Sequence, residues 1–167
     1  MSTVRKLKVL SLFSGCGGMD LGFEGNFKVS RKSINPVIHP DWIAHGEGGS
    51  WVTLPSTGFE TVFANDIARA AKAAWVPYFS QRGRRAEDFH LVSVVDLVKL
   101  HGKTGDIFPE TDVVTGGFPC QDFSVAGKRN GFNSHKGHDG RPVSEIEDPT
   151  EENRGKLYIW MKRVIEL

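Results

Sequence analysis

A cysteine stands directly behind a proline in the stretch TGGFPCQDFSVAG, Thr115 to Gly127. An apolar run leads into it and a polar loop follows. A cysteine kept for packing belongs inside a strand, where it serves as a small hydrophobe. Cys120 falls beyond the run, in a turn set by Pro119, where a thiolate is reachable and suited to act as a nucleophile. Lys128, Arg129, Lys136 and Arg141 follow, with Asp139 among them. A stretch holding Glu145, Glu147, Asp148, Glu151 and Glu152 then masks them in a formal net charge of +1 for the whole chain. The basic loop is either a meeting place for phosphates or a solvated face of mixed charge.

Two other groups have chemistry to offer. Ser14-Gly15-Cys16-Gly17-Gly18 follows the apolar run LKVLSLF. Glycines permit a tight turn there, and free amides at the start of a helix favour an anionic group. The run lacks the full G-x-G-x-x-G spacing of a dinucleotide site. Asp66 closes FETVFAND and Asp96 closes FHLVSVVD. A carboxylate at a strand end is placed to accept hydrogen bonds from ribose hydroxyls. The competing role for Asp66 is to cap IARAAKAAW, and Asp96 could equally cap a turn.

Such groups need a scaffold to bring them together. LKVLSLF (7–13), FETVFAND (59–66), FHLVSVVD (89–96) and TDVVTGGF (111–118) predict four short buried strands. Helical patterns follow the glycines, run through IARAAKAAWVPYF to a close near Pro77, and fill GKLYIWMKRVIEL at the C-terminus. Strands alternating with helices predict an α/β fold, a mostly parallel sheet with helices on both faces. Ligands of such sheets lie beyond the carboxyl ends of the strands. The glycine turn, both aspartates and Cys120 are then expected on one edge. Residues 25–58 hold three prolines, five glycines and two tryptophans. They read as an excursion from the fold, partly ordered by its aromatics, rather than as a linker.

The 167 residues suit one domain, and 25% charged with 39% hydrophobic residues exclude disordered and collagen-like classes. Cys16 and Cys120 are the two cysteines, too few for a disulfide framework or a zinc pattern. His135 and His138 have no further ligand placed nearby, so no metal is expected and residues 134–152 read as a flexible surface insertion. Neither a secretory signal nor an apolar run long enough for a bilayer is present, and a cytoplasmic, reducing setting is the expectation.

LFSGCGGMDLGFE, FANDI, GGFPCQDFS, AGKRNGF and RGKLYIWMKRVIE, in that order, closely resemble the DNA cytosine-5 methyltransferases. The Pro-Cys motif carries most of the specificity. The resemblance covers nearly the whole chain outside residues 25–58 and 134–152. It implies a Rossmann-like fold binding S-adenosylmethionine, and it matches the first half of the family's catalytic domain. By resemblance, Phe13, Ser14, Gly15, Cys16, Gly17, Gly18 and Phe118 line the pocket for that methyl donor. Asp66 holds the ribose, Ile67 packs on the adenine, Asp96 receives the adenine amino group and Leu97 packs nearby. Many relatives carry Glu at the position of Asp66, and Ser11 stands where an acid is frequent. Cys120, with Pro119 fixing its backbone, is the implied nucleophile toward C6 of a cytosine flipped from duplex DNA. Gln121, Ser124, Lys128 and Arg129 are the implied DNA contacts.

The family's Glu-Asn-Val stretch, its Arg-x-Arg element, its target recognition region and its closing helix have no counterpart here. The expectation is therefore a sheet incomplete at the C-terminus, in one part of a split enzyme or a truncated product. A complementing C-terminal chain would be needed for activity, and the isolated chain is expected to self-associate. The setting implied is DNA methylation in restriction-modification, nucleoid-associated in a bacterium. Two other classes compete. One is a non-catalytic fragment that binds the methyl donor or DNA. The other is a nicotinamide oxidoreductase, which leaves Gly117-Phe118-Pro119-Cys120-Gln121 unexplained.

Overall fold

A computed structural model describes residues 5–44, 49–120, 123, 131–142 and 151–167. In chain order its elements are β1 (Leu7–Leu12), α1 (Gly18–Glu24), β2 (Lys28–Ser30), α2 (Pro40–Ala44), β3 (Trp51–Thr53), β4 (Phe59–Asn65), α3 (Arg69–Ser80), β5 (Phe89–His90), α4 (Val94–Thr104), β6 (Val113–Gly116) and α5 (Leu157–Glu166). Four strands form one parallel sheet in the order β5-β4-β1-β6. The chain steps outward from β1 to β4 and β5, then returns to the other side of β1 for β6. Strand order thus reverses between β1 and β6, which opens a crevice at their carboxyl ends.

Side chains alternate across the sheet, as the pleat requires. Leu10, Leu12 and Phe63 face one side, where they bury Val94, Val95 and Leu97 of α4 and Leu157, Trp160 and Val164 of α5. Ala64 and Phe89 face the other side, against Ala71, Trp75 and Phe79 of α3, with Leu21 of α1 packed beside them. Helices therefore cover both faces, as the alternation of patterns predicts. No described helix is long and apolar enough to cross a membrane.

Two boundaries differ from the sequence reading. The predicted strand 89–96 is only two residues long. The Ser93 hydroxyl accepts from the Val95 amide and caps α4, so Asp96 lies in the first turn of a helix rather than at a strand end. Helix α3 also runs past Pro77 to Ser80. Phe79 is fully buried and stacks on Trp75 with ring centroids 4.5 Å apart, which holds the last turn in place beyond the proline.

The excursion 25–58 contains a separate antiparallel pair, β2 with β3, and the short α2, where His39 and Trp42 stack with centroids 3.8 Å apart. It leaves and rejoins the sheet at one point. Gly25 bridges Ser56, and the Thr57 amide donates to the Glu24 carbonyl. The Glu24 carboxylate is buried beneath this junction, where it accepts from the Thr61 amide at 2.9 Å and from Arg82 Nε at 3.1 Å.

At the short strand β5, His90 stacks on Phe63 with centroids 4.1 Å apart. Burial, and secondarily the nearby Lys72 ammonium, push its imidazole pKa below the ordinary value of 6.5. The folded state therefore takes up this proton less readily than the unfolded chain. The stability is complete above the unfolded pKa and is lost as pH falls through the folded value. The melting temperature is expected to drop as pH falls below about 6.5, and to drop less in His90→Phe, which keeps the stack. Equal drops in both proteins would remove His90 from the acid response.

Candidate functional site

Beyond the carboxyl ends of the four parallel strands lies a cavity of about 230 Å³. Each strand contributes to it: Phe13 after β1, Asn65 with Asp66 and Ile67 at β4, Ser93 and Val94 after β5, Gly117 and Pro119 after β6. His138 and Gly140 close one side, and Arg154 and Leu157 enter from the start of α5. A larger hollow of about 500 Å³ lies between Phe108–Asp112, Leu10 and α5. It sits at the amino end of β6, and its Asp112 is already tied to Arg5 at 2.7 Å. The strand-end cavity is the one with the convergent polar groups that a ligand site requires.

The turn after β1 is built against β4. The Ser14 amide donates to the Asn65 carbonyl at 2.8 Å, and the Gly15 amide donates to Asp66 Oδ2 at 3.0 Å. Asp66 Oδ1 accepts from the Ala68 amide at 2.8 Å. The helix α3 begins one residue later with Ala68 as its cap, so Asp66 holds the turn and does not cap the helix directly. Each carboxylate oxygen retains a lone pair for a ligand hydroxyl.

Underneath, Gly17 has φ +89°, and a Cβ placed there would stand 2.4 Å from Phe79 Cε2 and 2.7 Å from Trp75 Cδ1. The turn thus rests on the stacked Trp75–Phe79 pair. Asp20, fully buried, receives both Ser14 Oγ at 2.6 Å and Trp75 Nε1 at 2.7 Å on one carboxylate oxygen. Ser14 consequently points into the protein.

The predicted site residues are only partly brought together. Phe13, Asp66, Ile67 and Pro119 line the cavity. Gly15 reaches it through its bond to Asp66, while Cys16 and Gly18 are exposed on the turn. Asp96 is exposed on α4, and Leu97 is buried in the core against α5; neither lines the cavity. Ser93 and Val94 stand there in their place because the helix starts earlier than the strand reading implies. Phe118 leans toward Tyr158, with ring centroids 6.2 Å apart. Cys120 is a free, exposed thiol immediately beyond Pro119, and its carbonyl accepts from the Phe123 amide at 2.9 Å. Gln121, Ser124, Lys128 and Arg129 lie outside the described residues.

The sequence reading missed Asn65, His138, Arg154 and Leu157. Asn65 had a signal, a buried amide at the end of an apolar strand. Its Nδ2 donates to the His90 carbonyl at 3.1 Å and to the Val92 carbonyl, so it ties β4 to the turn after β5. Among the described residues no cluster of three or more His, Cys, Asp or Glu side chains could hold a metal ion.

A nucleoside fits these groups. Phe13, Ile67, Val94 and Leu157 offer apolar faces for a base, and Asp66 offers acceptors for vicinal hydroxyls.

Three curated relatives are similar over this region. The type II methyltransferase M.NgoFVII of Neisseria gonorrhoeae is 30% identical over 137 residues, covering 82% of this chain and 26% of the relative. M.Bsp6I of Bacillus sp. (strain RFL6) is 31% identical over 134 residues, 80% of this chain and 29% of its own length. M.HhaI of Haemophilus parahaemolyticus is 33% identical over 110 residues, 66% of this chain and 29% of its own. The chain thus spans between a quarter and a third of these three relatives. The profile described as C-5 cytosine-specific DNA methylase matches residues 7–156, from the first strand through the strand-end cavity to the start of α5, and the chain belongs to that family.

Proposed function

We propose that this chain supplies the S-adenosylmethionine pocket and the cysteine nucleophile for methylation of cytosine at C5 in DNA. The observation that carries the reading is the shared strand end: Pro119 lines the cavity and the exposed Cys120 thiol follows it directly. Cofactor and nucleophile are thereby held by one turn after β6.

The chemistry follows from the base. C5 of cytosine is a poor nucleophile by itself. The Cys120 thiolate adds to C6, and electron density moves onto C5, which becomes enamine-like. A sulfonium donor held by Phe13, Asp66 and Ile67 would supply an electrophilic methyl group for C5, its S–CH3 bond breaking so that it leaves as the neutral thioether. Loss of the C5 proton to a base and expulsion of the thiolate restore the aromatic ring. A cytosine in a duplex must first be flipped out of the stack. Gln121, Ser124, Lys128 and Arg129 are proposed to hold the flanking phosphates, contacts that add affinity without sequence information.

Activity in this reading needs a complementing C-terminal chain or segment. That part would supply an acid for N3 of the cytosine and the surface that recognises the target. Within the described sheet β6 pairs with β1 alone, which supports docking or self-association along its other edge. A role in restriction-modification, which the type II relatives support, and a cytoplasmic setting are parts of the same proposal.

The test is binding of S-adenosylhomocysteine, measured by calorimetry. The parent chain is expected to bind. Asp66→Ala should weaken binding by roughly 1–3 kcal/mol, through loss of an acceptor for the ribose and of its hold on Gly15. Unchanged affinity in a folded Asp66→Ala protein would refute the ribose assignment.

A further inference from the structure

One wall of the cavity comes from a segment to which the strand ends assign nothing. We propose that His138 is a binding residue for the nucleoside part of the methyl donor, presented by a built hairpin at 131–142. This rests on the reading of the cavity as the donor pocket.

The hairpin is held at several points. Lys136 bridges Pro142, Gly137 bridges Asn153, and the Gly137 amide donates to the Arg141 carbonyl at 2.9 Å. The Arg154 amide donates to the Lys136 carbonyl at 2.8 Å. Asn153, buried, donates from Nδ2 to the Phe132 carbonyl at 2.9 Å, and the buried Ser134 hydroxyl accepts from the Lys136 amide at 3.3 Å.

Its tip meets the far side of the cavity. His138 Nδ1 lies 2.7 Å from Ser93 Oγ, and Gly140 lies next to the Ile67 side chain. The two contacts reach across to the ends of β5 and β4, the strands whose ends carry the candidate ribose and base contacts. The His138 side chain is 19% exposed, so most of it is taken up by the wall.

Ser93, His138 and Glu152 also suggest the outline of a hydrolytic triad, but the geometry argues against one. Ser93 is a buried helix cap, and His138 Nε2 stands 3.8 Å from Glu152 Oε2, beyond hydrogen-bond distance. Glu152 is instead paired with Lys99. The Ser93 contact orients the ring, and His138 forms part of the cavity lining. A purine nucleoside is the ligand class that suits apolar faces at Phe13, Ile67 and Leu157, a carboxylate at Asp66 and a polar rim at Ser93 and His138.

The experiment titrates the parent chain, His138→Ala, His138→Gln and Arg141→Ala with S-adenosylhomocysteine. It also follows the His138 ring proton resonance, identified by its absence from the His138→Gln spectrum. His138→Ala is expected to bind about tenfold more weakly, and His138→Gln, which still reaches Ser93, to recover part of the loss. Arg141→Ala, in the same hairpin with its side chain 87% exposed, should bind like the parent. The His138 resonance should move on ligand addition, and that alone decides the matter if His138→Ala fails to fold. A parent that binds, with His138→Ala binding equally and the resonance unmoved, would overturn this inference and leave the proposed function standing. A parent that does not bind would overturn the reading of the cavity and this inference with it.

Discussion

Methyl transfer is expected to fall by roughly 10⁴- to 10⁶-fold when Cys120 is replaced by serine, the scale seen when a covalent nucleophile is removed. Binding of the methyl donor should persist. Serine is nearly isosteric with cysteine, so the turn closed by the Phe123 amide on the residue-120 carbonyl survives the change. The neighbouring rings should hold as well: Phe118 and Phe132 lean on Tyr158, and Phe123 meets Phe132 at a centroid distance of 5.1 Å. What is lost is the thiolate, since a hydroxyl is almost wholly protonated at neutral pH. The measurement is tritiated methyl incorporation by the chain together with a complementing C-terminal segment. DNA containing 5-fluorocytosine provides the second readout, because fluorine at C5 blocks the proton loss and leaves the enzyme attached. An adduct that persists in Cys120→Ser would exclude Cys120 as the nucleophile.

Gly17→Ala should destabilise the fold strongly, because the new methyl strains the backbone and strikes the ring pair beneath the turn. The left-handed backbone costs a non-glycine residue about 1–2 kcal/mol. The new methyl would also be driven into the Phe79 and Trp75 rings, an overpacking cost of about 1–3 kcal/mol. Against a typical stability of about 5–15 kcal/mol, that is enough to shift a urea midpoint clearly and to distort the Gly15–Asp66 tie above it. Trimming the obstacle should help: Gly17→Ala with Phe79→Leu is expected to recover part of the overpacking cost. A Gly17→Ala protein that melts at the parent's midpoint would show that the turn adjusts without resting on the ring pair.

Much of this architecture is legible in the residues. LKVLSL and FETVFAN are apolar runs of strand length bounded by turn residues, and both form strands that carry the site. The exposure of Cys120 beyond the strand is legible because a proline ends the apolar run just before it. The stretch FHLVSVVDLV is not, since a run apolar at nearly every position suits a buried strand and a buried helix alike. Ser93 decides it, as a capping side chain in mid-run, and everything after it turns helical. Asp96 leaves the cavity with that change. His138 was illegible for a different reason. Its partner Ser93 lies 45 residues away, and no periodicity in either segment announces the contact.

The junction at Gly25 and Ser56 bears on how such a chain can change over generations. Gly25, with φ +64°, closes so tightly on Pro55 that a Cβ there would stand 2.2 Å from its carbonyl oxygen. Everything between the two residues hangs from a single gate. The entropy of closing a loop grows only with the logarithm of its length, about 0.6 kcal/mol for each doubling. The segment is thus energetically a graft: it can grow, shrink or be exchanged while the register of β1 against β4 stays fixed. Sequence drift is cheap on the far side of that gate and expensive on the near side, where Glu24 and Arg82 hold the sheet. Variation among related chains should accordingly collect on the far side as differences in length, leaving Cys120 and the strand-end cavity in the same frame.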